Sequence, residues 1–176
     1  MKRGILAMAF AAVAMMAGEA QAQAIKSTVM ASNGVEITKS IDEFAGRYEF
    51  LAPRQETKSA KGAFVSSVVA KVRAGDQNFP TSIQGFIIYY GDWRRFDYAV
   101  FRGGDPVNYK NTDKDVGSCR NGCQLTESFM IELTPADIAK HAESGKVPIQ
   151  IRSQGSDTVM LEIPVAYIDA VNEIAK

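Results

Sequence analysis

Between Ala63 and Leu133 the chain repeats one pattern: an apolar run of eight to ten residues, rich in β-branched and aromatic side chains, then a cluster of turn residues. The runs are Ala63–Val72, Ile83–Tyr90, Arg94–Arg102 and Leu125–Leu133. Runs of that length and composition form strands, and Gly, Asp, Asn and Pro clusters end them. They follow one another without the regular strand–helix alternation of a parallel sheet. The pattern therefore predicts a mainly β fold. We expect an antiparallel β-sandwich or partly open barrel, with two short helices near the C-terminus.

The helices announce themselves locally. Thr134 is a good N-cap, Pro135 fits the first helical position, and Asp137 favours the positive end of the helix dipole. This predicts a helix over Pro135–Ser144, closed by Gly145 at C′. Val147–Arg152 and Thr158–Ile163 then read as a hairpin. Pro164–Ala175 has apolar residues at 167, 168, 171 and 174, a helical spacing. Upstream, Ile25–Asn33 reads as extended or partly disordered. Ser40 and Glu43 resemble a capping box, but Gly46 and Arg47–Phe50 read better as a turn and a strand. Arg54–Lys61 reads as a polar connection, and Val107–Val116 as a short strand with polar residues.

The first 24 residues have a different logic. Lys2 and Arg3 precede the uncharged apolar run Ile5–Ala17, and Ala20-Gln21-Ala22 and Ala22-Gln23-Ala24 both show a small-x-small pattern. That is the form of a cleavable signal peptide, and the 13-residue run is too short to span a bilayer as a helix. We expect residues 1–24 to be removed, with Ile25 or Gln23 as the new N-terminus. Residues 25–176 then form a single β-rich domain, periplasmic or secreted, with no membrane insertion. Its 152 residues are enough to bury a core. They carry 18 basic and 19 acidic side chains, which disfavours a broad nucleic-acid or anionic-membrane surface.

Cys119 and Cys123 are the chain's two cysteines. In an exported chain such a pair predicts a disulfide, closed around Asn121-Gly122, both of which tolerate positive φ. Redox pairs of the thioredoxin type have two intervening residues at a helix N-terminus. Here there are three, in a loop. No metal or cofactor is expected, since neither further Cys nor His lies near and no nucleotide-binding motif is present. His141 is the single histidine. Lys140, Ala142 and Glu143 around it suggest a solvated helix face rather than a catalytic base. Asp92, Asp97, Asp105, Asp113 and Asp115 read as turn and surface residues.

Tyr89–Tyr98 is the densest stretch of recognition chemistry. It holds the single Trp, two adjacent Arg and four other aromatics, the types that dominate binding hot spots. Gly91-Asp92 looks like a hairpin turn joining Ile83–Tyr90 to Arg94–Arg102, which predicts a central hairpin. Period two puts Phe96, Tyr98 and Val100 on its core face and Arg95, Asp97, Ala99 and Phe101 on the other. There Arg95 and Asp97 can pair. Trp93, Arg94, Arg95 and Asp97 form the candidate binding strip.

From Gly117 to Ile174 the order is Cys119, Gly122-Cys123, a strand, the short helix, Gly145, the hairpin and Ile163-Pro164-Val165-Ala166-Tyr167. This order resembles the C-terminal part of the invasion-associated locus B (IalB-like) family of bacterial periplasmic proteins, over about a third of the chain. The N-terminal half lacks that family's additional Trp and Cys positions. The Trp93 stretch followed by Ser118-Cys119-x-x-Gly122-Cys123 is also similar to uncharacterised exported bacterial proteins. Both resemblances imply a small periplasmic β-rich protein without a known reaction, and neither carries over a catalytic residue.

The function these features favour is non-enzymatic: binding of an envelope or extracellular protein partner, or support of the cell envelope. The alternatives are a carboxylate-based wall- or glycan-cleaving hydrolase, needing two convergent carboxylates, and a periplasmic thiol–disulfide protein, needing an accessible Cys119–Cys123 bond.

Overall fold

The structure, a computed structural model, describes residues 24–119 and 122–176. The expected leader up to residue 23, and Arg120 and Asn121 of the cysteine loop, lie outside the described residues. In chain order come β1 (Ile25–Met30), β2 (Glu36–Asp42), β3 (Arg47–Leu51), β4 (Gln55–Lys58), β5 (Phe64–Ala74) and the two-residue β6 (Gln77–Asn78). Then follow β7 (Thr81–Tyr90), β8 (Phe96–Phe101), β9 (Asn108–Val116) and β10 (Gln124–Leu133). The chain closes with α1 (Pro135–His141), β11 (Lys146–Ser153), β12 (Thr158–Pro164) and α2 (Val165–Ile174).

The strands form two antiparallel sheets. The large one runs β1-β2-β3-β5-β7-β10-β9, with β4 and β6 also paired to β5, and the small one runs β12-β11-β8. The protein is thus mainly β, with two short helices near the C-terminus. Its sheets approach each other along both sides without closing into a barrel. On one side Tyr109 Oη of β9 donates to Phe96 O at 3.0 Å. On the other, Gln55 Nε2 of β4 donates to Glu162 O of β12 at 3.4 Å.

Strict alternation builds the core. Leu125, Phe129, Ile131 and Leu133 point inward from β10, Ile83 and Ile87 from β7, and Val147, Ile149 and Ile151 from β11. Ile168 and Val171 of α2 cap the same cluster. Each such side chain contributes about 1.5–3 kcal/mol on burial. Gly85 is part of this packing: a Cβ there would lie 2.8 Å from Phe129 Cζ and closer still to Ser66 O. Only glycine lets that ring lie across β7.

Several sequence expectations are corrected. Ile83–Tyr90 and Arg94–Arg102 do not form a hairpin. β7 is central in the large sheet between β5 and β10, whereas β8 pairs with β11 in the other sheet. Gly91–Arg95 is therefore a crossover between sheets. The face assignment in β8 fails too. Tyr98 pairs with Arg152 and Phe96 with Ser153, leaving Asp97 as the extra residue of a β-bulge. A bulge reverses the inside–outside phase beyond it. Phe96, Ala99 and Phe101 are buried and Tyr98 is exposed, while Val100 is covered on the other face by its bridge to Pro106.

Arg54–Lys61 contains β4, which pairs with β5, and Ile25–Met30 is an ordinary edge strand. Val107–Val116 holds a nine-residue strand. The Thr134–Asp137 capping box is present, and the Thr134 hydrogen bonds hold the Asp137 carboxyl below its ordinary pKa. α1 nevertheless stops at His141. Ser144 and Gly145, at φ 49° and 78°, make a two-residue turn between bridged Glu143 and Lys146, a turn that requires positive φ at both positions.

Candidate functional site

Five residues must carry the chain from one sheet to the other, and their backbone groups need partners. Glu127 is the centre of the network that supplies several of them. It lies on β10 in phase with the inward Leu125 and Phe129, and is 0% exposed. Its Oε1 accepts from Tyr89 Oη and from Arg95 N at 3.0 Å. Its Oε2 accepts from Phe96 N at 3.2 Å and Asn111 Nδ2 at 3.3 Å, with Lys114 Nζ at 3.6 Å. A buried carboxylate is tolerable only when its lone pairs are filled in this way. Tyr89 Oη in turn accepts from Arg94 N at 3.0 Å. Burial, and then donation to Glu127, push the Tyr89 phenol well above its ordinary pKa. Burial and the Glu127 charge do the same to Tyr109.

A second buried carboxylate anchors the outside of the loop. Arg94 lies over the Tyr89 ring, 4.7 Å from its centroid, and forms an ion pair with Asp157, itself almost wholly buried. Asp157 also accepts from Ser59 Oγ at 3.4 Å, and Arg94 Nη2 donates to Lys61 O at 3.4 Å. The crossover is thereby tied to the turns at 59–62 and 153–157. A third tie runs to the cysteine loop. Gly91 N donates to Cys123 O at 3.2 Å, and Cys119 and Cys123 are joined as a disulfide. Four loops thus meet at one end of the molecule and brace each other.

Arg95 has φ 56°, a left-handed conformation that costs a non-glycine residue of order 1 kcal/mol or more. Two backbone bonds hold it there: its N–H donates to Glu127, and its carbonyl accepts from Gln154 N at 3.0 Å. What the loop presents to solvent is Trp93, 38% exposed, with Lys114 Nζ 5.8 Å from the indole centroid, and the exposed Arg95 side chain. Arg95 and Asp97 do not pair with each other. Gln154 bridges them, accepting from Arg95 Nη1 at 3.4 Å and donating to Asp97 Oδ2 at 2.8 Å. Beside them opens a cleft of about 640 Å³ lined by Lys61, Trp93, Arg94, Arg95, Gln154 and Asp157 among others. The structure therefore brings Trp93, Arg94 and Arg95 to one rim, with Asp97 joined to it through Gln154.

His141 is not on a solvated face. Its side chain is 10% exposed, stacks on Phe101 with centroids 4.0 Å apart, and places Nε2 3.6 Å from the Asp105 carboxylate. This is at the far end of β8 from the crossover. A hydrogen bond from Lys140 lowers the Asp105 pKa. Among the described residues no three His, Cys, Asp or Glu side chains converge to hold a metal ion, and no helix is long and apolar enough to cross a membrane.

The residues that organise the site, Glu127 and Asp157, are not among the carboxylates singled out from sequence. Glu127 was detectable, as a charged residue at an inward position of an alternating strand. Asp157 sits in a polar turn that gives no such signal. Compared with models of protein families, with curated proteins and with solved structures, the chain shows no match.

Proposed function

We propose that this protein is a non-enzymatic periplasmic or secreted binding protein, and that it takes an envelope or extracellular protein partner at the Trp93 end. The observation that supports this reading is the mismatch between the inside and outside of the crossover. Inside, two buried carboxylates and a neighbouring disulfide hold the loop in one shape. Outside, Trp93, Arg95 and Lys61 point to solvent around an open cleft. A binding loop fixed in advance loses little conformational freedom on contact, and Trp and Arg make the strongest contacts. Asp157, the buried carboxylate on the cleft, is occupied by Arg94 and Ser59, which favours binding over glycan hydrolysis. The Gly117–Ile174 resemblance to periplasmic proteins agrees with the leader-like N-terminus.

The test is photo-crosslinking in the secreting cell, with the reactive group at Asp92 and a control group at Thr112 on β9. The expected result is a discrete protein adduct from position 92 that disappears when Trp93 and Arg95 are both changed to Ala. Adducts that are the same from both positions, or that survive the double change, would remove the binding-strip reading.

A further inference from the structure

The large sheet ends differently on its other side. There the β2–β3 turn projects Phe44, 89% exposed. The turn is not loose. Ala45 N donates to Asp42 Oδ1 at 3.0 Å, and Gly75 N of the neighbouring turn donates to Gly46 O at 3.1 Å. Beside it, on the sheet's outer face, lies a hollow of about 240 Å³ lined by Arg47, Val72, Ala74, Phe79, Pro80 and Met130 among others. Its walls are mainly apolar. An apolar knob on a hydrogen-bonded turn and an apolar hollow of side-chain size thus sit at the same end of the same sheet, and the exposed Phe44 does not line the hollow.

We propose that two copies of the chain associate about a two-fold axis, Phe44 of each seating in the hollow of the other. Arg47 fixes the geometry. It is three residues from Phe44, pairs with Ala74 in the β3–β5 ladder and stands on the rim of the hollow. An axis passing beside it relates both contacts at once, and such an arrangement closes as a dimer rather than growing into a fibre. Charge agrees with shape. Glu43 precedes the knob and Arg47 borders the hollow, and neither has an ionic partner among the described residues, whereas Glu132, which also lines the hollow, is already paired with Lys110. Seating Phe44 brings Glu43 of one copy beside Arg47 of the other. A lipid surface would accept the knob but leaves the adjacent hollow unused. The contact is small against the roughly 1,600 Å² of a standard interface, so the dimer is weak. Its axis lies at the Thr81 end of β7, ~30 Å from Tyr90 at 3.3 Å per residue. The two Trp93 clefts therefore stay open and face away from the contact.

Sedimentation velocity of the purified exported protein across the micromolar range tests this. The expected result is a concentration-dependent shift from monomer to dimer. Phe44→Asp should remain monomeric throughout, with an unchanged circular dichroism spectrum. Arg47→Glu should weaken the dimer, and Glu43→Lys added to it should restore association, which a merely structural role of either residue would not produce. A wild-type protein that is monomeric at every concentration overturns the proposal, as does a dimer that survives Phe44→Asp. If the wild type stays monomeric but floats with phosphatidylglycerol vesicles through Phe44, the tip is a lipid anchor and the dimer is wrong.

Discussion

The two ends of the large sheet share strands β3, β5, β7 and β10 but are finished by opposite means. At the Trp93 end the loops are held by polar groups taken out of water: Glu127 and Asp157, each with its partners around it, and a disulfide next door. At the Phe44 end, short turns are held by backbone hydrogen bonds, and the apolar groups face solvent. A buried polar network fixes one conformation, because each unfilled partner is costly. An exposed apolar knob fixes nothing in its own chain and gains only from contact with another. On the two readings proposed above, the same scaffold carries one rigid recognition surface and one weak association surface.

Removing Glu127 breaks the first half of that comparison. Glu127→Ala leaves Tyr89 Oη, Arg95 N and Phe96 N without their acceptor, and Lys114 without its counter-charge. Stripping one side of a buried charged network costs about 3–5 kcal/mol, a large share of an ordinary domain's stability. Urea denaturation should show a loss of that size. Hydrogen exchange should rise first at Arg95 and Phe96. A change under 1 kcal/mol would mean the crossover is held by something other than this carboxylate.

The disulfide belongs to the same end, and its effect should be local. Replacing Cys119 and Cys123 by Ser opens a very short loop, for which chain entropy predicts a loss of about 2 kcal/mol. The thermal midpoint should fall while the far-ultraviolet spectrum stays. Exchange should quicken at Gly91, whose N–H is held by Cys123 O, and not at Gly75 on the opposite end. Equal quickening at both ends would show that the two ends are not separately braced.

Tyr89→Phe should cost about 2 kcal/mol at neutral pH, because it removes a donor to the Glu127 carboxylate and leaves Arg94 N without its acceptor, and its pH dependence is diagnostic. The Tyr89 pKa is raised in the folded state above the ordinary 10.0. The proton is thus held more tightly when folded. The associated stability is complete below pH 10 and is lost as pH rises through 10 toward the folded value. Wild-type stability should therefore fall more steeply above pH 10 than that of Tyr89→Phe, and the gap between them should narrow. Tyr109, raised in the same direction, keeps its own share in both proteins. Parallel alkaline curves would contradict a buried phenol donating to Glu127.

Which parts of this were legible in the sequence follows from how local each signal is. The Leu125–Leu133 alternation gives strand, inward face and, through Glu127, the anomaly at the heart of the site. Thr134-Pro135-Ala136-Asp137 gives a helix start because capping is decided within four residues. The β7–β8 crossover is not legible. Gly91-Asp92 is compatible with a hairpin turn, and only the competing partners of β7 and β8, distant in the chain, decide that it is not one. The Asp97 bulge is hidden for a related reason. Nothing in Arg-Phe-Asp-Tyr-Ala-Val-Phe marks the extra residue, which is defined by pairing against Arg152 and Ser153. Composition marks Trp93, Arg94, Arg95 and Asp97 as one dense stretch, while the rim they share in the fold depends on Gln154 and Asp157, some sixty positions away.

The smallest expected effect separates the rim from its support most sharply. Trp93 meets the Glu127 network only at its edge: no hydrogen bond of its side chain is present among the described residues, and its indole contact is with the half-exposed Lys114. Surface changes away from buried networks usually stay within about 0.5 kcal/mol. Trp93→Ala should therefore match the wild type in urea denaturation. Phe96, three residues on, is fully buried against Tyr89, with ring centroids 6.0 Å apart, and Phe96→Ala should lose about 3–5 kcal/mol. The pair distinguishes a presented residue from a packed one within the same short segment. If Trp93→Ala falls as far as Phe96→Ala, the indole is holding the loop cluster together. The outward face of the crossover then has no separable role in binding.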